Sequence, residues 1–142
     1  MAAAARACAC FNVRKAARAV TQFYDGILQP SGLRSTQFVL LVAVEADGDV
    51  RLPDLACTLN VDRSTLTRNL QPLVRAGLVK TATPRNSRAR TVRLTAKGHR
   101  LLLRTLPLWE EAQTRFERKV GKRRWKEMLG DLTRVVDAAH DA

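Results

Sequence analysis

The chain has 142 residues, 46% of them apolar, and carries 25 Lys and Arg against 13 Asp and Glu, a net charge of +12. That is enough apolar side chain for one packed domain and too much for a disordered chain. The charge argues for a polyanionic partner, and no apolar run reaches the roughly 18 residues that a membrane span needs.

Within residues 6–28, Cys10, Val13, Ala17, Val20, Tyr24 and Ile27 recur at three- and four-residue spacing, which predicts a long amphipathic helix. Gln29-Pro30-Ser31-Gly32 stops it. A second helix is expected from Thr36 to about Ala46, capped by Ser35, with Phe38, Val39, Leu41 and Val42 buried. Asp47-Gly48-Asp49 turns the chain, and Val50 to Leu52 reads as a one-rung strand. Pro53 to Asn60 forms a short helix with Leu55, Ala56 and Leu59 inward and Cys57 in the core; Asn60 suits a left-handed turn.

The next helix begins at Asp62, whose carboxylate can cap the Thr65 N–H, and ends at Gly77. Leu66, Leu70, Leu73 and Val74 make its inward stripe, while Ser64, Thr65, Arg68, Gln71 and Arg75 point away. That outward face offers hydroxyls, an amide and guanidiniums, the groups that read base edges and hold phosphates. Two strands, Val79 to Thr83 and Thr91 to Leu94, flank the basic loop Pro84 to Arg90. Helix, turn, helix and a basic hairpin predict a winged helix. Thr95 caps a long helix with the stripe Leu102, Leu106, Trp109, Phe116 and Val120, kinked at Pro107 and broken at Gly121. A last helix carries Trp125, Leu129, Leu132, Val136 and Ala139 on one side.

The fold class is therefore mainly α with a small β-wing. A single domain, 1–142, holds a winged helix-turn-helix unit at 36–95 between dimerisation helices at 1–35 and 96–142. The terminal stripes, with Val13, Val20, Trp109, Phe116, Trp125, Leu129, Leu132 and Val136, are too long to bury against so small a winged helix. A second copy would cover them, and a two-fold dimer would read a pseudo-palindromic stretch of double-stranded DNA. The expected DNA contacts are Arg63, Ser64, Thr65, Thr67, Arg68, Gln71 and Arg75 on the helix, and Arg85, Arg88 and Arg90 in the wing. Residues 48–95 hold nine basic side chains against three carboxylates, so the charge excess is concentrated where the DNA would lie. Pro72 can bend the reading helix and change the angle at which Ser64, Thr65 and Arg68 enter the groove, or be absorbed without effect.

These residues resemble the MarR family of bacterial transcription regulators over nearly the whole chain. The run Asn86-Ser87-Arg88-Ala89-Arg90-Thr91-Val92-Arg93-Leu94-Thr95-Ala96-Lys97-Gly98 is similar to the family's D-x-R…V-x-L-T-x-x-G signature, and Ser64 to Arg68 followed by Gly77-Leu78-Val79 also fits. The resemblance implies a triangular dimer that binds palindromic operators, usually represses, and is released by a small aromatic effector or an oxidant. Asn86 stands where the family carries Asp, and an amide braces an arginine more weakly than a carboxylate. Arg88 matches the signature arginine and is the candidate for the minor groove.

Cys8 and Cys10 lie at a helix start with Arg6, Arg14 and Lys15 nearby, a setting that favours thiol reactivity. Cys10-Phe11, Ala17-Arg18, Thr21 and Tyr24 are similar to the organic-hydroperoxide sensors of that family. This implies oxidation at Cys10 with Tyr24 as a hydrogen-bonding neighbour. Arg14 and Ser35 stand where that branch has other tyrosines. The competing reading keeps Cys10 as a small hydrophobe in its helix stripe. An odd count of three cysteines makes no disulfide framework, and the chain reads as cytoplasmic. His99 and His140 lie too far along the chain to complete a Cys-x-Cys metal site, so neither a metal nor a cofactor is expected. No Ser-His-Asp set, phosphate-cradling glycine loop or carboxylate cluster points to an enzyme. The alternative to a regulator is a nucleoid-type protein that binds any nucleic acid without a signal.

Overall fold

The computed structural model describes residues 6–84 and 89–140. Its elements are α1 (Ala9–Leu28), a 3-10 turn (Gln29–Ser31), α2 (Ser35–Asp47), β1 (Val50–Arg51), α3 (Leu52–Thr58), α4 (Arg63–Arg75), β2 (Val79–Ala82), β3 (Thr91–Leu94), α5 (Ala96–Val120) and α6 (Lys122–His140). The sheet is antiparallel in the order β1-β3-β2. Val92 is its pivot, paired with Val50 on one side and Thr81 on the other, and it is fully buried. The strand expected at Val50 to Leu52 is Val50–Arg51, paired with β3 through two residues, and Leu52 already begins α3.

The core lies under the winged helix. Leu28, Leu41, Val44, Leu55, Leu66, Leu73, Val79 and Val92 are essentially inaccessible. Each such side chain stabilises the fold by about 1.5–3 kcal/mol relative to leaving it in water. Helix α1 and helix α6 both pack along α5, so α5 is the strut between the winged helix and the terminal helices.

Several expectations are corrected. Ser35 does not cap α2; Arg34 is the N-cap residue, and Ser35 is the first helical residue. The Ser35 N–H is already given to Asp25 Oδ1 (2.6 Å), and the Arg34 N–H goes to Gln37 Oε1 (3.0 Å). With that start, Phe38, Leu40, Leu41 and Val44 face inward, while Val39 and Val42 are exposed. In α4 the buried stripe is Leu66, Leu70 and Leu73; Val74 is 41% exposed. Cys57 is exposed, because Leu55 and Ala56 take the buried side of so short a helix. Helices α4 and α5 each remain one helix across their internal prolines, which is compatible with the bends expected at Pro72 and Pro107. Pro72 and Pro107 lie on exposed sides, where water can satisfy the carbonyl that loses its donor.

The terminal helices divide into two sets. Phe23, Tyr24, Phe116 and Trp125 form one aromatic cluster, with ring centroids 5.2–6.2 Å apart. Trp109 stacks on Phe38 at 6.1 Å. Trp109, Phe116 and Trp125 therefore spend much of their apolar area within the chain. Val13, Leu129, Leu132 and Val136 remain exposed, and α6 has no buried residue at all.

Candidate nucleic-acid interface

Helices α3 and α4 are joined by a turn in which Asn60 adopts a left-handed conformation (φ +50°). Val61 N–H closes it on the Ala56 carbonyl (3.0 Å). Asp62 then starts α4. Its Oδ1 accepts the Ser64 hydroxyl (2.5 Å) and the Thr65 N–H (2.8 Å), and its Oδ2 accepts the Thr65 hydroxyl (2.7 Å). Those bonds, from the Ser64 and Thr65 side chains first and the Thr65 backbone next, hold its carboxyl far below the usual carboxylate range. Arg68 Nη2 donates to the Thr65 hydroxyl oxygen (3.3 Å), so a chain of donors runs Arg68 to Thr65 to Asp62. The two hydroxyls expected to face DNA have already given their protons to Asp62, leaving their oxygens to accept. Thr67 donates back to the Arg63 carbonyl (2.8 Å).

Arg63, Ser64, Thr67, Arg68, Gln71 and Arg75 are all exposed, and Thr65 is partly so. Thr67, Gln71, Arg75 and Arg90 share a hollow of about 330 Å³ between α4 and the wing. Arg75 Nη2 donates to Gln71 Oε1 (3.3 Å), and Arg90 Nη2 donates to the Thr81 hydroxyl across the hairpin (3.1 Å). Arg85 and Arg88, the other two wing candidates, lie outside the described residues, as does Asn86. Arg34, not singled out from the sequence, lines a hollow with Arg68, Gln37 and Asn69.

The far end of α4 is held by α5. The Thr95 hydroxyl donates to the Gly77 carbonyl (2.6 Å) and accepts the Gly98 N–H (3.0 Å), and Lys97 Nζ donates to the Ala76 carbonyl (2.8 Å). The orphan carbonyls that end α4 are thus satisfied by the first turn of the strut. Gly77 makes the exit at φ +67°. From the same turn of α5, His99 Nδ1 lies 2.8 Å from Glu45 Oε1 on α2.

Between α4 and the helical base lies an open-sided cavity of about 400 Å³. Val20, Thr21 and Tyr24 line it from α1, Phe38 and Val39 from α2, Leu59 and Val61 from the turn, Leu66 and Asn69 from α4, and Trp109 from α5. The Tyr24 hydroxyl donates to Gln113 Oε1 (2.6 Å), whose Nε2 donates to Glu117 Oε1 (2.8 Å). Burial, and then the charge on Glu117, raise the Tyr24 pKa. Cys8 and Cys10 are both exposed at the start of α1. Tyr24 is fourteen residues beyond Cys10 in one helix, roughly 21 Å along its axis. A single chain therefore does not bring Cys10 and Tyr24 together.

Comparison with curated proteins gives no match. A model of the MarR family matches residues 33–89. The Mycobacterium tuberculosis transcriptional regulator MosR, solved in complex with DNA, is 37% identical, with a TM-score of 0.86 over 94% of this chain and 97% of that one. The Streptomyces coelicolor regulator PcaV, solved with its natural ligand, is 21% identical, with a TM-score of 0.83 over 94% and 95%. The repressor CouR, bound to a 23-mer DNA duplex, is 22% identical, with a TM-score of 0.80 over 91% and 92%. The last two share the fold. With MosR alike over almost its full length, and the signature helix, wing and strut in place, the chain belongs to the MarR family of winged-helix, DNA-binding transcription regulators.

Proposed function

We propose that two copies of this chain pair through α1, α6 and the distal half of α5, bind a pseudo-palindromic operator, and repress until a signal releases them. The observation that carries this reading is α6: beyond Trp125, which packs on Phe116, its apolar stripe of Leu129, Leu132 and Val136 lies exposed. Pairing would place two α4 helices one turn of B-DNA apart, at about 34 Å. No helix among the described residues is long and apolar enough to cross a membrane, and the cytoplasm is the proposed location. A nucleoid-type protein would bind operator and random DNA alike, so the ratio of the two affinities decides between the readings.

Arg68 is proposed as a base reader, because its guanidinium is exposed on α4 and steadied by Thr65. Arg68→Ala should cost about 1–3 kcal/mol per half-site on operator DNA and relax the preference at one base pair. Arg90→Ala, removing a charge at the base of the wing, should weaken all sequences alike and flatten the salt dependence. Titrations on operator and random duplexes at several salt concentrations check both. An equal loss on the two DNAs for Arg68→Ala would reassign Arg68 to phosphate.

Two signals fit. The cavity touches α4 and the preceding turn on one side and α1 and α5 on the other, so a small molecule wedged there shifts the reading helix against the base. The second is oxidation of Cys10, which is supported by its exposure at the start of α1. A hydroperoxide converts a thiolate to a sulfenic acid and is itself reduced to the alcohol. In the proposed seam the added oxygen, or the disulfide that follows, acts as overpacking, commonly about 1–3 kcal/mol. A gel shift with organic hydroperoxide should release wild type, leave Cys10→Ser bound, and recover with dithiothreitol, with Cys8→Ser run alongside. Equal behaviour of wild type and Cys10→Ser would leave Cys10 without a redox role: no release of either favours the cavity as the signal site, and release of both moves the oxidation to Cys8 or Cys57, which are also exposed.

A further inference from the structure

We propose that the cavity between α4 and the helical base selects a neutral, hydroxyl-bearing aromatic molecule and discriminates against aromatic carboxylates. This rests on the reading above that the cavity is an effector site, and it names the chemistry of the effector. The walls are mostly aliphatic and aromatic, and none of the residues that line the cavity carries a charge at neutral pH. Its one titratable member, Tyr24, is a neutral phenol at that pH, and burial and then Glu117 raise its pKa further.

Two carboxylates stand just behind the walls. Glu117 stands one hydrogen bond behind Gln113, which holds the Tyr24 hydroxyl. Asp25 Oδ1 sits on the N–H of Ser35, another lining residue (2.6 Å). A bound carboxylate would be desolvated with no cation on the walls and two carboxylates close by, which is unfavourable on both counts. Arg34 and Arg68 line a different hollow, beyond Thr36 and Asn69. Both are exposed, where water and salt screen them. The polar groups that the cavity does offer suit a hydroxyl. The Tyr24 proton is committed to Gln113, so its oxygen is left to accept a donor from the ligand. The volume of about 400 Å³ lies within the range of small-molecule sites and admits fused rings.

The test is calorimetric titration of the full chain at pH 7 and physiological salt with 2-naphthol and 2-naphthoate. The two probes share a ring system, but the phenol is neutral and the carboxylate ionised. Naphthol should bind at least about tenfold tighter. Tyr24→Phe should weaken naphthol several-fold. Val39→Arg, on a wall residue that is already 50% exposed and so tolerates the change, should abolish the preference. Naphthoate binding as tightly as naphthol, binding of neither, or a preference unaltered by Val39→Arg would each overturn the proposal. A gel shift with the same two probes separates it from the effector reading. Selective naphthol binding without release of DNA would uphold the ligand class and refute the effector role. Release by naphthoate bound at least as tightly would do the reverse.

Discussion

Replacing Gly98 with alanine is expected to destabilise the protein by on the order of 3 kcal/mol, a fall of about 10 °C in Tm. Gly98 is buried in the first turn of α5, and a Cβ built there collides with the backbone carbonyl of Leu78. No rotamer relieves a clash between a Cβ and a main-chain oxygen, so α5 must move away from Leu78, which lies between α4 and β2. That movement loosens the Thr95 bonds to Gly77 and Leu78 and the Lys97 bond to Ala76, which hold the end of the reading helix. Operator affinity should therefore fall along with stability. Gly26→Ala is the control: Gly26 is helical and exposed, and nothing lies within 4 Å of its Cβ position. It should be neutral or stabilise by up to about 1 kcal/mol. Urea unfolding at one fixed protein concentration measures both, since pairing would make the apparent stability depend on concentration. A Gly98→Ala protein that melts within a degree or two of wild type would mean that the close approach to Leu78 is absent.

Gly98 also shows why some of this chain was legible before its structure. In the run Thr95-Ala96-Lys97-Gly98, threonine caps the helix locally, while lysine reaches back to Ala76 and glycine lets the helix touch Leu78. The cap lies close in sequence to what it caps, as Asp62 does to Thr65, so spacing announces it. The same holds for the Asn60 and Gly77 turns and for the paired strands of the wing. The reach of Lys97 to Ala76, 21 residues back, and of Gly98 to Leu78 needed the fold. Where the reading failed, the information was not local. In α2 the apolar run from Phe38 to Val44 is unbroken, so its phase cannot be read, and the tie from Asp25 to Ser35 that sets where the helix starts comes from α1. Cys57 looked like core because its neighbours are, but α3 is too short to bury more than one side.

The candidate site divides in the same way. The exposed side of α4 follows from its periodicity, while the prior commitment of the Ser64 and Thr65 hydroxyls to Asp62 is visible only in the folded chain. The cavity was beyond reach of any pattern, since its walls come from α1, α2, the turn, α4 and α5. Arg34 joined Arg68 only through folding. For Tyr24 and Cys10, family likeness suggested proximity that the length of α1 forbids within one chain.

Leu132→Asp is expected to give monomers that stay folded and bind operator about a hundred- to ten-thousandfold more weakly, through loss of the second reading helix. Leu132 lies midway along α6, 44% exposed, in line with Leu129 and Val136, which are just as bare. In a two-fold pair each such position meets its own copy or a close neighbour, so one substitution puts two carboxylates into the seam. Burying them without partners costs several kcal/mol, whereas Leu132→Ala removes only packing and should weaken pairing much less. The core, from Leu28 to Leu102, does not include Leu132, so far-ultraviolet circular dichroism should show helix content preserved. That separates loss of pairing from loss of folding. Sedimentation at micromolar concentration is the measurement. A monomeric wild type, or a Leu132→Asp protein that remains dimeric, would remove α6 from the interface. The exposed stripe of Val13, Leu129, Leu132 and Val136 would then need a different partner.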